Sequence, residues 1–153
     1  IFDVQPELYE YCIVKLVLQP ILENAINYGV GSMDDCGEIK VTGRMQGENI
    51  ILSVTDNGLG MTEEEVDLIL TDSKRIRKHG SGVGLVNVNN RIQILFGKEY
   101  GLVVESEPDE GTTVSICIPA VLYTEDNRED LEKGRMFRKE ETAKEVQVKR
   151  DDE

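Results

Sequence analysis

Asp56-Asn57-Gly58-Leu59-Gly60-Met61 breaks a run of regular hydrophobic periods, and what lies on either side of it decides the fold. Upstream, residues 38–45 and 49–55 are β-rich runs joined by Gln46-Gly47-Glu48, a hairpin signal. Downstream comes an acidic helix start, Thr62-Glu63-Glu64-Glu65, with Thr62 as N-cap and Glu65 at the capping-box position. Further out, Leu18, Ile21, Leu22, Ala25 and Ile26 recur at helical spacing and predict a helix over 16–28, ended by Gly29 and Gly31. On the other side a basic stretch, 72–79, leads into Gly80-Ser81-Gly82-Val83-Gly84-Leu85. A second helix follows, with Leu85, Val88, Ile92, Leu95 and Phe96 on one side and Gly97 as its stop. Residues 101–107 and 112–118 form a second strand pair around Pro108-Asp109-Glu110-Gly111. Two antiparallel hairpins with interspersed helices predict a two-layer α/β sandwich with helices on one face of the sheet. No parallel crossover is demanded, which weakens a dinucleotide-fold reading.

Composition narrows the function classes. The chain has 153 residues and a formal charge of −13, so nucleic acid, which selects basic faces, is not the expected partner. No apolar run reaches the roughly 18 residues of a membrane span, and no signal peptide is visible at Ile1. A start at Ile rather than Met points to a piece of a longer protein. Cys12, Cys36 and Cys117 neither close a disulfide set nor show metal-ligand spacing, and a single histidine, His79, leaves no inventory for a Ser-His-Asp triad. Residues 124–153 hold 19 charged side chains in 30 positions and read as a tail or exposed helix; residues 1–123 read as the domain.

Two glycine loops beside helices can offer backbone N–H groups to phosphate. The usual phosphate motifs are broken: Leu85 stands where a dinucleotide fingerprint needs glycine, and Gly97-Lys98 lacks the upstream glycine of a Walker A loop. On the first helix, Pro20, Asn24, Asn27 and Tyr28 fall on one stripe opposite the apolar one. Interior asparagines cost helix propensity, and in company with two glycine loops they point to a ligand.

Leu18-Gln19-Pro20-Ile21-Leu22-Glu23-Asn24-Ala25-Ile26-Asn27-Tyr28-Gly29 resembles the asparagine box of the GHKL (Bergerat-fold) ATPases. Asp56–Met61 and Gly80–Leu85 resemble their two glycine boxes, and Glu110-Gly111-Thr112-Thr113-Val114 resembles the closing Gly-Thr strand. The wording of the first box, with Asn87-x-x-x-Arg91-Ile92 after the second glycine box, is most similar to sensor histidine kinases of the LytS/YesM type.

The resemblance implies the Bergerat form of the α/β sandwich, a mixed, mostly antiparallel sheet with helices on one face, and a MgATP site. Asp56 would accept from the exocyclic amine of adenine, where guanine presents a carbonyl. Thr112 would support Asp56 through its hydroxyl. Asn24 would give a neutral oxygen to Mg²⁺, and Glu23 and Asn24 are the residues assigned to catalysis. The nucleotide-binding set is Asn24, Asn27, Tyr28, Asp56, Gly58, Gly60, Met61, Lys78, Gly80, Ser81, Gly82, Val83, Gly84, Leu85 and Thr112. Residues 62–79 would be a lid that orders on nucleotide; Lys74, Arg75, Arg77 and Lys78 crowd into it.

Two departures matter. Asn27 stands where many histidine kinases carry a basic residue, so Lys78 or Arg77 is the substitute phosphate contact. Pro20 stands where other GHKL ATPases and the anti-sigma serine kinases carry a glutamate base, so activation of water or serine by that route is closed. Transfer to histidine needs less, because neutral imidazole is already a nucleophile. The leading expectation is the catalytic domain of a sensor histidine kinase, whose acceptor histidine sits on a separate dimerisation domain and whose response regulator is an indirect partner. His79, in the lid, is not that acceptor. The alternatives are an ATP-gated interaction module without phosphotransfer and an anti-sigma-type serine kinase. The fragment is expected to be monomeric, without membrane contact of its own, and a cytoplasmic domain of a membrane receptor.

Overall fold

A computed structural model describes residues 1–14, 16–31, 33, 36–70 and 83–132. The chain divides into two compact units, Ile1–Leu122 and Tyr123–Glu153.

The first unit is built on a five-stranded sheet: β1 (Phe2–Val4), β2 (Ile39–Gln46), β3 (Asn49–Asp56), β4 (Gly101–Glu107) and β5 (Gly111–Pro119). The spatial order is β1-β2-β3-β5-β4, with β1 parallel to β2 and every other pair antiparallel. The mixed, mostly antiparallel sheet agrees with the resemblance, and its four longer strands lie within one residue of their predicted ends. Gln46 pairs with Asn49, so the first hairpin turns on two residues. Gly47 takes the first of these at φ +61°, a conformation that suits glycine and the twist of the strands.

β1 has no counterpart in the sequence reading. Three residues are too few to show an alternation, and β1 is held by its neighbour instead: Arg44 Nη1 donates to the Asp3 carbonyl at 2.8 Å, and its other nitrogen pairs with the Asp3 carboxylate.

The helices are α1 (Leu18–Asn24), α2 (Glu63–Ile69) and α3 (Val83–Phe96). Ile21, Ala25, Leu85, Val88 and Ile92 pack with the inward-facing residues of the sheet, among them Val41, Leu52, Val54, Val114 and Ile116. Period-2 burial on the strands and period-3.6 burial on the helices thus meet in one core. The expected helix over 16–28 is corrected at both ends. Leu16 has φ +63°, which no helix accommodates, so α1 starts at Leu18. The helix then runs past Gly29 as a π-helix, Ala25–Val30, with Gly31 as its cap. Pro20 is tolerated because it lies in the first turn, where its missing N–H has no helical acceptor.

The capping box is present on α2: Glu65 N–H donates to Thr62 Oγ1 at 3.3 Å, and Thr62 N–H donates to Glu65 Oε2 at 2.9 Å. In the second unit, Thr124 and Asn127 exchange backbone-to-side-chain hydrogen bonds ahead of a short helix, α4 (Arg128–Glu132).

Candidate functional site

Asp56 is the last residue of β3 and is 4% exposed. Its Oδ1 accepts the Gly58 N–H at 2.9 Å. Burial raises its pKa above the ordinary carboxylate value, and backbone hydrogen bonds from Gly58 and Thr112 oppose that rise. Thr112 faces Asp56 across the β3–β5 ladder. Its hydroxyl, however, is bonded to Ser106 Oγ at 2.9 Å. The expected support of Asp56 by that hydroxyl is therefore corrected: Thr112 reaches the carboxylate through its backbone.

The first glycine loop is pinned on three sides. Asn57 Oδ1 accepts the Glu38 N–H at 2.7 Å, and Asn57 Nδ2 donates to the Cys36 carbonyl at 3.0 Å. On the far side, Asp109 N–H donates to the Leu59 carbonyl at 2.7 Å, so the β4–β5 turn grips the loop. Gly60, at φ +65°, leaves no room for a side chain, since a β-carbon would stand 1.9 Å from the Glu107 carbonyl oxygen. Met61 N–H donates to Ser106 Oγ at 2.8 Å. The third side is the π-helix: a β-carbon on Gly58 would lie 2.1 Å from the Gly29 carbonyl oxygen.

Asn24 closes α1, and the π-turn that follows carries Asn27 and Tyr28. With Pro20, Glu23, Gly84 and Leu85 they line a cleft of about 140 Å³. A β-carbon on Gly84 would be 3.1 Å from Pro20 Cβ, so this glycine lets α3 approach α1 closely. Glu23 is exposed, and its Oε1 accepts from Gln19 Nε2 at 2.9 Å. Asp56 and Thr112 line a second, larger cavity of about 630 Å³ with Ser106, Val66 and Val104.

The predicted residues thus gather on two cavities. Glu23, Asn24, Asn27, Tyr28, Gly84 and Leu85 share one, and Asp56 and Thr112 the other. Gly58, Gly60 and Met61 shape the loop beside Asp56, while Val83 opens α3 on the wall of neither cavity. Lys78, Gly80, Ser81 and Gly82, with the rest of the expected lid from 71 to 79, lie outside the described residues.

Two residues that shape the site carry no role in the sequence reading. The sequence pattern makes Gly29 a helix stop, whereas the structure buries it inside the π-turn against Asp56. Ser106 left a usable signal: it continues the inward-facing series Leu102, Val104 on β4, where a polar residue needs a reason.

Among the described residues no cluster of three or more His, Cys, Asp or Glu could cage a metal. Asn24 and Glu23 both border the smaller cleft, one offering an amide oxygen and the other carboxylate oxygens. Such donors fit Mg²⁺ held jointly with phosphate oxygens and water rather than by protein alone.

The family model described as "Histidine kinase-, DNA gyrase B-, and HSP90-like ATPase" matches residues 13–122. The sensor histidine kinase YesM of Bacillus subtilis is 34% identical over 118 residues, which is 76% of this chain and 19% of that protein. The sensor protein LytS of Bacillus anthracis is 33% identical over 119 residues, 76% of this chain and 20% of that protein. The chain therefore spans about a fifth of the length of these relatives. Among solved structures, the nucleotide-free catalytic domain of the histidine kinase ThkA superimposes with a TM-score of 0.59. That match covers 78% of this chain and 77% of ThkA's at 20% identity, and it shows a shared fold. All four motif regions, from the asparagine helix to the Gly-Thr strand, fall inside the matched span, and the chain belongs to the ATPase family that takes in histidine kinases, DNA gyrase B and HSP90.

Proposed function

We propose that this chain supplies the catalytic, MgATP-binding part of a sensor histidine kinase, passing the γ-phosphoryl group to a histidine on a separate dimerisation domain. Residues 1–123 are the ATP-binding domain in this reading, and 124–153 are a charged extension of it. The observation that carries it is the buried Asp56 carboxylate, set at the rim of a loop whose Gly58 and Gly60 have no room for a side chain. Among the described residues no basic side chain pairs with this carboxylate, and a donor such as the adenine amine is what would repay its desolvation.

Asn24, Asn27 and Tyr28 form the phosphate end, together with the start of α3 at Gly84, which borders the same cleft. Asn24 would hold Mg²⁺ through its side-chain oxygen, and the ion would supply charge neutralisation to the phosphates. Glu23, held by Gln19, borders the same cleft and is the carboxylate available to the transfer step. Pro20 closes the helix position from which a base would otherwise act, so the site favours transfer to an imidazole over hydrolysis. No helix among the described residues is long and apolar enough to cross a membrane. The chain is proposed to act on the cytoplasmic side of a receptor, with a response regulator downstream.

The test is to add ATP and Mg²⁺ with a purified histidine-containing dimerisation domain of a YesM-type kinase. Acid-labile phosphate on the histidine is the expected result; tight ATP binding with no transfer to any such domain would contradict the assignment.

A further inference from the structure

A serine hydroxyl has one proton to give and two lone pairs to receive with. Ser106 uses all three. The Gly111 carbonyl can only accept, so it takes the Ser106 proton, at 2.8 Å. The Met61 N–H can only donate, so it occupies one lone pair, at 2.8 Å. The Thr112 hydroxyl, 2.9 Å away, is left with the second lone pair and must be the donor. Its own proton is thereby turned toward Ser106, and only lone pairs remain for anything else that approaches Thr112.

Thr112 is 6% exposed, stands opposite Asp56 in the β3–β5 register, and shares the wall of the larger cavity with it. We propose that Ser106 is a positioning residue that sets base selectivity by holding the Thr112 hydroxyl as an acceptor next to the Asp56 carboxylate. The inference rests on the reading of Asp56 as the base contact. Two neighbouring acceptors welcome the 6-amino group of adenine. They meet the 6-carbonyl of hypoxanthine or guanine with no donor, and an unpaired buried carbonyl is strongly rejected. Removing the Ser106 hydroxyl frees the Thr112 proton to rotate toward the ligand, where it can satisfy a carbonyl.

The experiment measures ATP and inosine triphosphate affinities, in Mg²⁺, for the 153-residue chain and for Ser106→Ala, Ser106→Thr, Thr112→Val and the Ser106→Ala/Thr112→Val double variant, with thermal melts for each. Ser106→Ala is expected to lower the preference for ATP about tenfold, the scale of one buried hydrogen bond. Ser106→Thr restores it, and in the Thr112→Val background Ser106→Ala changes the preference no further. If Ser106→Ala does not fold, Ser106→Cys, a poor donor and acceptor, carries the same expectation. An equal loss for both nucleotides, or a shift that persists without the Thr112 hydroxyl, overturns the proposal by making Ser106 a packing residue only. A wild-type preference that vanishes with Asp56→Asn but ignores Ser106 overturns this inference alone. No preference in the wild type overturns the Asp56 reading beneath it.

Discussion

Gly29 lies flat against the carboxyl group of Asp56: a β-carbon on Gly29 would stand 2.5 Å from Asp56 Cγ and 2.5 Å from its Oδ1. The π-helix and the end of β3 meet here, and the close approach fixes the direction of the carboxylate. The same glycine's carbonyl oxygen sits over Gly58 and accepts the Leu59 N–H at 3.4 Å. One residue without a side chain therefore couples the asparagine helix to the first glycine loop.

Gly29→Ala should for that reason damage both ends of the site. Overpacking against buried groups costs about 1–3 kcal/mol, and the displaced carboxylate should lose ATP. Urea denaturation and nucleotide titration of the same variant check the two effects. A stable variant with unchanged ATP affinity would show that the helix and the loop are not coupled at this point.

Asp56 makes the fold pH-sensitive in a definite direction. Its pKa is raised in the native state, so between its ordinary value and the raised one the native state binds more protons than the unfolded state. Stability from this group is full at the acid end and is lost as pH rises through that window, then stays level. Urea melts of wild type and Asp56→Asn across the acid range isolate the effect. The wild type should lose ground to the variant as pH rises; gaining ground would mean that the carboxylate is stabilised, not burdened, by its surroundings.

Asn24→Ala tests the metal assignment. Losing an interaction with a charged group costs about ten- to a hundredfold in affinity, so ATP binding in Mg²⁺ should weaken by that much. Binding measured in a chelator should barely change. Equal weakening with and without Mg²⁺ would move Asn24 from the metal to the nucleotide itself.

Most of the sheet was legible in the sequence because its residues obey local rules. The alternation of Ile50, Leu52 and Val54 marks a strand with one buried face, and Gly47 marks the turn before it. Thr62 and Glu65 announced α2 by their spacing alone. What escaped was set by contacts between distant segments. β1 exists because Arg44 clamps Asp3 from 41 residues away, and three residues carry no period. The π-winding after Asn24 brings Gly29 onto Asp56, a partner 27 positions on that no helical pattern reveals. The asparagine and glycine boxes were readable as motifs. The choice of backbone over hydroxyl at Thr112 was not, because Ser106 competes for that hydroxyl from the neighbouring strand.

The central claim is that Asp56 and Asn24 form the two ends of one MgATP site. A calorimetric titration with ATP and GTP, each with and without Mg²⁺, tests it most directly. ATP is expected to bind, GTP is not, and Mg²⁺ is expected to strengthen the ATP interaction. Equal binding of the two nucleotides, or no ATP binding at millimolar concentration, would contradict it.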